Sequence, residues 1–72
     1  MLRIPFGYWE AKDSKDDLDR EIAAKIRAGY PDDNIIYESS VTAVLRQNGR
    51  EIDRVPLQGD DAALLKLLDR FF

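Results

Sequence analysis

The first eleven positions after Met1 have a composition that predicts a β-strand. The segment 2–12 is rich in aromatic and β-branched residues, and Pro5 lies near its start, where a missing amide is tolerated. Side chains alternate between the two faces of a strand. We therefore expect Tyr8, Glu10 and Lys12 on one face of this strand, and Trp9 on the other.

The next segment has the apolar spacing of an amphipathic helix over residues 15–28. Leu18, Ile22 and Ile26 follow one another at intervals of four residues, which puts them on one side of a helix. Ser14 is the expected N-cap. Acidic residues dominate the first turn and basic residues the last, in agreement with the helix dipole, and a glycine and a proline follow.

Three further apolar runs, at residues 34–38, 41–47 and 50–57, predict strands. The last two flank Asn48-Gly49, the strongest short signal for a β-hairpin. A two-residue turn sets the pairing of the two strands. The expected pairs are Leu45 with Ile52 and Arg46 with Glu51.

A last helix is predicted from Asp61 to about Phe71, and it is apolar around much of its circumference. Such a helix is usually buried on more than one side. We therefore expect part of it to form an interface with a partner protein or a second copy of the chain, or with the rest of a longer chain. The alternative is that the sheet covers most of it. The residues assigned to this interface are Leu64, Leu65, Leu68, Phe71 and Phe72.

Together these elements predict one small α+β domain of order β-α-β-β-β-α, with helices packed on a mostly antiparallel sheet. We expect the whole chain, 1–72, to form this domain, either complete or as a fragment of a larger one. The sequence has neither cysteine nor histidine, so disulfides, thiolate or imidazole zinc sites and histidine-based triads are excluded. Carboxylates, lysines, hydroxyls and Mg²⁺-type metal binding remain available.

The net charge of −3 is unusual for a domain that binds DNA by itself. If DNA is a partner, we expect the affinity to come from a larger assembly, a partner protein or a dimer. No signal segment and no apolar run of membrane-spanning length is present. We therefore expect a cytoplasmic protein that does not enter a membrane.

Glu10 and Lys12 are the candidate catalytic residues, because two positions of separation on a strand place both on one face. A carboxylate can hold Mg²⁺, and a nearby lysine can orient the metal-bound water or stabilise phosphate charge. The pattern acidic-x-Lys is common, however. Taken alone, it is more typical of a solvated strand face than of a site.

The sequence around this pair, Phe6-Gly7-Tyr8-Trp9-Glu10-Ala11-Lys12-Asp13, resembles the nuclease domains attached to large adenine-specific restriction–modification enzymes. The segment 26–36 resembles such proteins too. These nucleases belong to the PD-(D/E)XK superfamily of DNA endonucleases. The resemblance implies that Glu10 is a metal ligand for Mg²⁺ and that Lys12 is the catalytic lysine.

The family also has an acidic residue on the strand before this one, and nothing acidic precedes Glu10 here. Glu38, at the end of the next predicted strand, is a candidate substitute. We expect the chain alone to be inactive, as a partial or degenerate nuclease core. The alternatives are a non-enzymatic interaction or dimerisation module that uses the C-terminal helix, and a site completed by a partner's acidic group.

Overall fold

The computed structural model describes residues 2–5, 7–11, 17–39, 41–59 and 61–72, with Leu2 described by its backbone only. Five strands and two helices lie in these ranges. In chain order they are β1 (Leu2–Ile4), β2 (Gly7–Ala11), α1 (Leu18–Arg27), β3 (Asn34–Glu38), β4 (Thr42–Gln47), β5 (Arg50–Pro56) and α2 (Asp61–Phe71).

The strands form one sheet in the order β1-β2-β3-β4-β5. Only β2 and β3 are parallel, and α1 makes the crossover between them. The other neighbours are antiparallel. The predicted α+β class with a mostly antiparallel sheet is confirmed.

The two helices cover opposite faces of the sheet, because consecutive strand residues belong to different clusters of buried side chains. Ile35 packs with Leu18 and Ile22 of α1, whereas Ile36 packs with Leu67 and Phe71 of α2. The α1 cluster also contains Tyr37 and Val44, and the α2 cluster also contains Ala43, Leu45 and Val55.

The opening segment is a hairpin of two strands, so the prediction of a single strand over 2–12 is wrong. β1 pairs antiparallel with β2, and Ile4 lies opposite Gly7. Pro5 lies in the reversal, where its fixed φ suits a turn and its missing amide breaks no ladder. Aromatic and β-branched composition predicted extended backbone correctly, but it did not locate this reversal.

Helix α1 begins later than predicted, at Leu18, and Asp17 is its N-cap. The Asp17 carboxylate accepts from the backbone amides of Asp19 and Arg20, at 3.1 and 3.4 Å. Ser14, the predicted N-cap, lies outside the described residues. An aspartate carboxylate caps a helix as well as a serine hydroxyl does, so sequence alone could not rank the two.

The hairpin at Asn48-Gly49 is confirmed, with φ of 54° and 82°, the left-handed values that this tight turn requires. Arg46 lies opposite Glu51, as predicted. Leu45, however, lies opposite Asp53 and not Ile52, because a register shift follows at Leu45/Arg46. The irregularity gives β5 one extra residue, as in a β-bulge.

The end of α2 is bound to the sheet through side chains. The Asn34 side-chain amide donates to the Phe71 carbonyl at 2.8 Å, and the Gln47 amide donates to the Arg70 carbonyl at 2.9 Å. Gln47 also donates to the Asn34 side-chain oxygen at 2.9 Å. Two carbonyls that a helix end leaves without partners are thereby satisfied.

The predicted interface residues of α2 divide into covered and exposed ones. Phe71 is 2% exposed and belongs to the core, which corrects its assignment to an external surface. Leu64 and Leu68 are half-buried against the same cluster. Leu65 and Phe72 remain exposed, at 66% and 70%. The sheet covers one side of α2, and the assignment of Leu65 and Phe72 to an interface stays a prediction.

Candidate functional site

Glu10 lies on β2, one residue beyond the last described pair between β1 and β2, and is 9% exposed. In the parallel pair it lies opposite Tyr37. Both share the face of the sheet covered by α1, with Tyr8 two residues away. Trp9 packs on the α2 side. The predicted alternation of faces along this segment is therefore confirmed for Tyr8, Trp9 and Glu10.

Lys12, the second predicted catalytic residue, lies outside the described residues. Its role therefore stays a prediction from the sequence.

Glu38 does not approach Glu10, so its suggested use as the missing carboxylate is wrong. Its Oε1 accepts a hydrogen bond of 2.7 Å from the indole nitrogen of Trp9. Glu38 pairs with Ala11, one position beyond Glu10, and therefore lies on the opposite face of the sheet. The parallel register separates the two carboxylates.

Tyr37 is the most deeply buried polar residue beside Glu10, with an exposed fraction of 0%. Its hydroxyl has no hydrogen-bond partner among the described residues. Burial raises the pKa of this hydroxyl above its usual value of 10.0, and the carboxylates of Asp32 and Glu10 raise it further. The Arg46 guanidinium acts in the opposite direction.

An ion pair stands near this tyrosine on the same side of the sheet. Arg46 donates to both carboxylate oxygens of Asp32, at 2.7 and 3.0 Å, and both side chains are mostly buried. The hydrogen bond to Asp32 raises the pKa of Arg46. The sequence did not predict this pair, because Asp32 lies in a segment that has the pattern of a turn.

On α1, Lys25 interacts with Tyr30. Its ammonium donates to the Tyr30 hydroxyl at 3.4 Å and lies 4.6 Å from the centre of the ring. The hydrogen bond raises the pKa of Lys25, and the negative charge of Glu10 contributes to the same effect. The α1 side of the sheet thus combines carboxylates, tyrosines and cations around β2 and β3.

The described residues do not by themselves make a complete metal site. Within them, no three acidic side chains gather closely enough to hold an ion. Glu10 supplies one carboxylate, and Mg²⁺ in proteins usually takes one or two carboxylates together with water and substrate phosphates. Glu10 can hold one ligand position, and the other ligands would have to come from outside the described part of the chain.

A shallow cavity of about 160 Å³ opens at the other end of the parallel pair. It is bordered by the β1–β2 reversal and by the start of β3, including Arg3, Tyr8 and Asn34. Glu10 does not line it. In the described ranges, no helix is long and apolar enough to cross a membrane.

Replacing Tyr37 with phenylalanine should leave the chain as stable at pH 7, or make it more stable by about 1 kcal/mol. A buried hydroxyl without a partner is unfavourable, and phenylalanine keeps the ring. Urea unfolding followed by circular dichroism measures this. A loss above 1 kcal/mol would show that the hydroxyl has a stabilising partner.

The same variant should also change the response to alkali. The unfolded chain releases the tyrosine proton near pH 10, whereas the folded chain holds it to higher pH. The natural chain therefore loses stability as the pH rises above 10. The Tyr37→Phe chain should lose less between pH 9 and 11, and equal losses in the two chains would contradict the assignment.

Comparison with known proteins finds similarity to a solved structure. No protein-family model matches the chain, and the comparison with curated proteins gives no match. The chain is similar to a chain in a cryo-EM structure of a DrdV–DNA complex, with 56% sequence identity and a TM-score of 0.87. The match covers 92% of this chain but 6% of the other, so the chain corresponds to a small part of that protein.

Proposed function

We propose that this chain is part of a DNA endonuclease core of the restriction–modification type, and that it is inactive by itself. The observation that carries the proposal is its 56% identity, over 92% of its length, to a chain whose structure was determined in a complex with DNA. The resemblance of the Glu10-Ala11-Lys12 stretch to PD-(D/E)XK nucleases gives the reaction class.

In this proposal Glu10 is the acidic residue of the catalytic pair and Lys12 is the lysine. β2 has a strand neighbour on each side, and α1 covers the face from which Glu10 projects. Burial of Glu10, which is 9% exposed, restricts the positions open to its carboxylate, and precise positioning of a reacting phosphate requires such restriction. Mg²⁺ is the ion that such a carboxylate would share with a second acidic group.

The second acidic group and most of the DNA affinity are assigned to a larger assembly. A chain of net charge −3 attracts a polyanion weakly, and it corresponds to 6% of the chain that it resembles. The missing carboxylate would come from another part of a longer polypeptide, a partner protein or a second copy. Activity alone is therefore a poor test of this chain.

A titration with Mn²⁺ tests the proposal without requiring cleavage. Paramagnetic Mn²⁺ at millimolar concentration should broaden the amide resonances of Glu10 and Tyr37 before those of α2, because the ion would bind beside them. Glu10→Gln should abolish the effect. Glu38→Gln is the matched control: it removes a carboxylate from the other face of β3 and should leave the broadening unchanged.

Two results would refute the metal-binding role of Glu10. One is the absence of broadening at millimolar Mn²⁺. The other is broadening of equal extent in the natural and Glu10→Gln chains, since the ion would then bind elsewhere.

Self-association through α2 is a second candidate function, favoured by the exposure of Leu65 on this helix and of Phe72 directly after its last residue. The two residues are seven positions apart, so they lie on the same side of the helix. Sedimentation should then give a mass that rises with concentration, and Leu65→Lys should suppress the rise. A monomer throughout the concentration series would rule this function out.

A further inference from the structure

The side of α1 that faces away from the sheet carries two arginines separated by small residues. Leu18 and Ile22 are buried against the sheet. The opposite side is exposed and consists of Arg20, Ala23, Ala24 and Arg27, which we call the α1 outer face. The α1 outer face differs in this from the exposed side chains at α2, where Leu65 and Phe72 are apolar.

In the described part of the chain, neither Arg20 nor Arg27 makes an ion pair. Three other arginines do: Arg46 with Asp32, Arg54 with Asp19 and Glu51, and Arg70 with Asp53.

Two acidic side chains at the start of α1, Asp17 and Asp19, are engaged elsewhere. Asp17 accepts from two backbone amides at the helix start, and Asp19 pairs with Arg54 of β5. These contacts hold the Asp17 carboxylate at the helix cap and the Asp19 carboxylate beside β5. The outer face therefore presents positive charge locally, although the chain as a whole is acidic.

The spacing of the two arginines suits the backbone of duplex DNA. Seven residues of α-helix span about 10.5 Å and two turns, so both guanidinium groups leave the helix on one side. Phosphates of one DNA strand advance about 3.4 Å along the axis per base. Because the strand also winds around that axis, neighbouring phosphates are farther apart than this axial step. Two groups about 10 Å apart therefore match phosphates about one to two steps apart, and the intervening alanines allow the helix to come close.

We infer that the α1 outer face binds the phosphate backbone of duplex DNA through Arg20 and Arg27. This inference rests on the proposed function, which makes DNA the substrate, and adds the surface by which this part of the protein touches it. The contacts involve phosphates only, so they position the domain on DNA without reading sequence.

Addition of a 12-base-pair duplex to the isotope-labelled chain at low salt tests the inference. The amide signals of Arg20, Ala23, Ala24 and Arg27 should shift. The double variant Arg20→Ala, Arg27→Ala should bind roughly tenfold more weakly per arginine near 0.05 M salt, and its log–log salt slope should be smaller by about two. Alanine suits a helix, so the fold should persist.

The matched control is the double variant Arg50→Ala, Lys66→Ala, which removes the same charge from exposed sites outside α1. Its affinity should fall by less than threefold. Equal weakening in the two double variants would overturn the inference, because attraction would then depend on net charge alone. Shifts centred on Leu65 and Phe72, or no shifts at millimolar duplex, would overturn it too.

These outcomes are independent of the test of Glu10. The Mn²⁺ titration contains no DNA, and the duplex titration needs no metal. A chain that binds Mn²⁺ at Glu10 but shows no DNA contact at α1 would keep the proposed function and refute this surface.

Discussion

Replacing Phe71 with alanine is expected to remove a large share of the free energy of unfolding, whereas the same change at Phe72 should be almost neutral. Phe71 is 2% exposed, and its ring meets the edge of Trp9 at 5.9 Å between centroids. Truncation of a buried phenylalanine costs about 3–5 kcal/mol. Globular domains have about 0.05–0.15 kcal/mol of stability per residue, so a 72-residue chain has about 4–11 kcal/mol in total, and this truncation removes a large share of it.

Thermal and urea unfolding followed by circular dichroism measure both variants. Phe72 is the matched control: it is the same residue type one position later, and it is 70% exposed. Its replacement should change the free energy of unfolding by less than about 0.5 kcal/mol. Similar losses at both positions would mean that α2 packs on the sheet through a different face.

The second large effect is expected at Gly7, where alanine should lower the free energy of unfolding by at least about 1–3 kcal/mol. A Cβ atom there would come closer to the backbone carbonyl oxygen of Asn34 than real Cβ atoms do. It would also lie 3.0 Å from the Phe71 ring. The Asn34 carbonyl lies at the start of β3, so any movement that relieves this close contact would disturb the parallel pairing of β2 with β3.

Gly29→Ala is the control for Gly7→Ala in the same unfolding experiment. Gly29 has φ of +89°, but nothing lies within 4 Å of the position of its Cβ. Only the backbone preference should then be lost, about 1–2 kcal/mol. A larger loss at Gly29 than at Gly7 would argue against tight packing of β2 on β3.

Features with local causes could be predicted from the sequence. The Asn48-Gly49 turn depends on two residues that tolerate positive φ, and α1 depends on apolar residues four positions apart. The opening hairpin is different. Gly7 is required because Asn34, 27 positions later in the chain, lies in contact with it. No pattern in the residues near Gly7 indicates that contact.

The candidate site also has features with local causes and features that depend on contacts between distant residues. The face of Glu10 followed from strand alternation, which is a property of neighbouring residues. The position of Tyr37 beside Glu10 depends on the register between β2 and β3. The position of Glu38 on the opposite face depends on the same register. Phe71 was assigned to an interface because sequence cannot tell which side of an apolar helix its own sheet covers.

The parallel pairing of β2 with β3 has a further consequence, for the order in which the molecule forms. Tyr8 pairs with Ile35, so this contact closes a loop of 27 residues, whereas the β4–β5 contact spans a two-residue turn. Loop-closure entropy disfavours the longer closure, and strands with local contacts assemble first.

We therefore expect β3, β4, β5 and α2 to form the nucleus of folding and the β1–β2 hairpin to dock last. In native-state hydrogen exchange, amides of β2 should then open at lower free energy than those of β4. Glu10 lies on that late-docking strand. In partial unfolding, its carboxylate would therefore separate from Tyr37 before β3, β4 and β5 separate from one another.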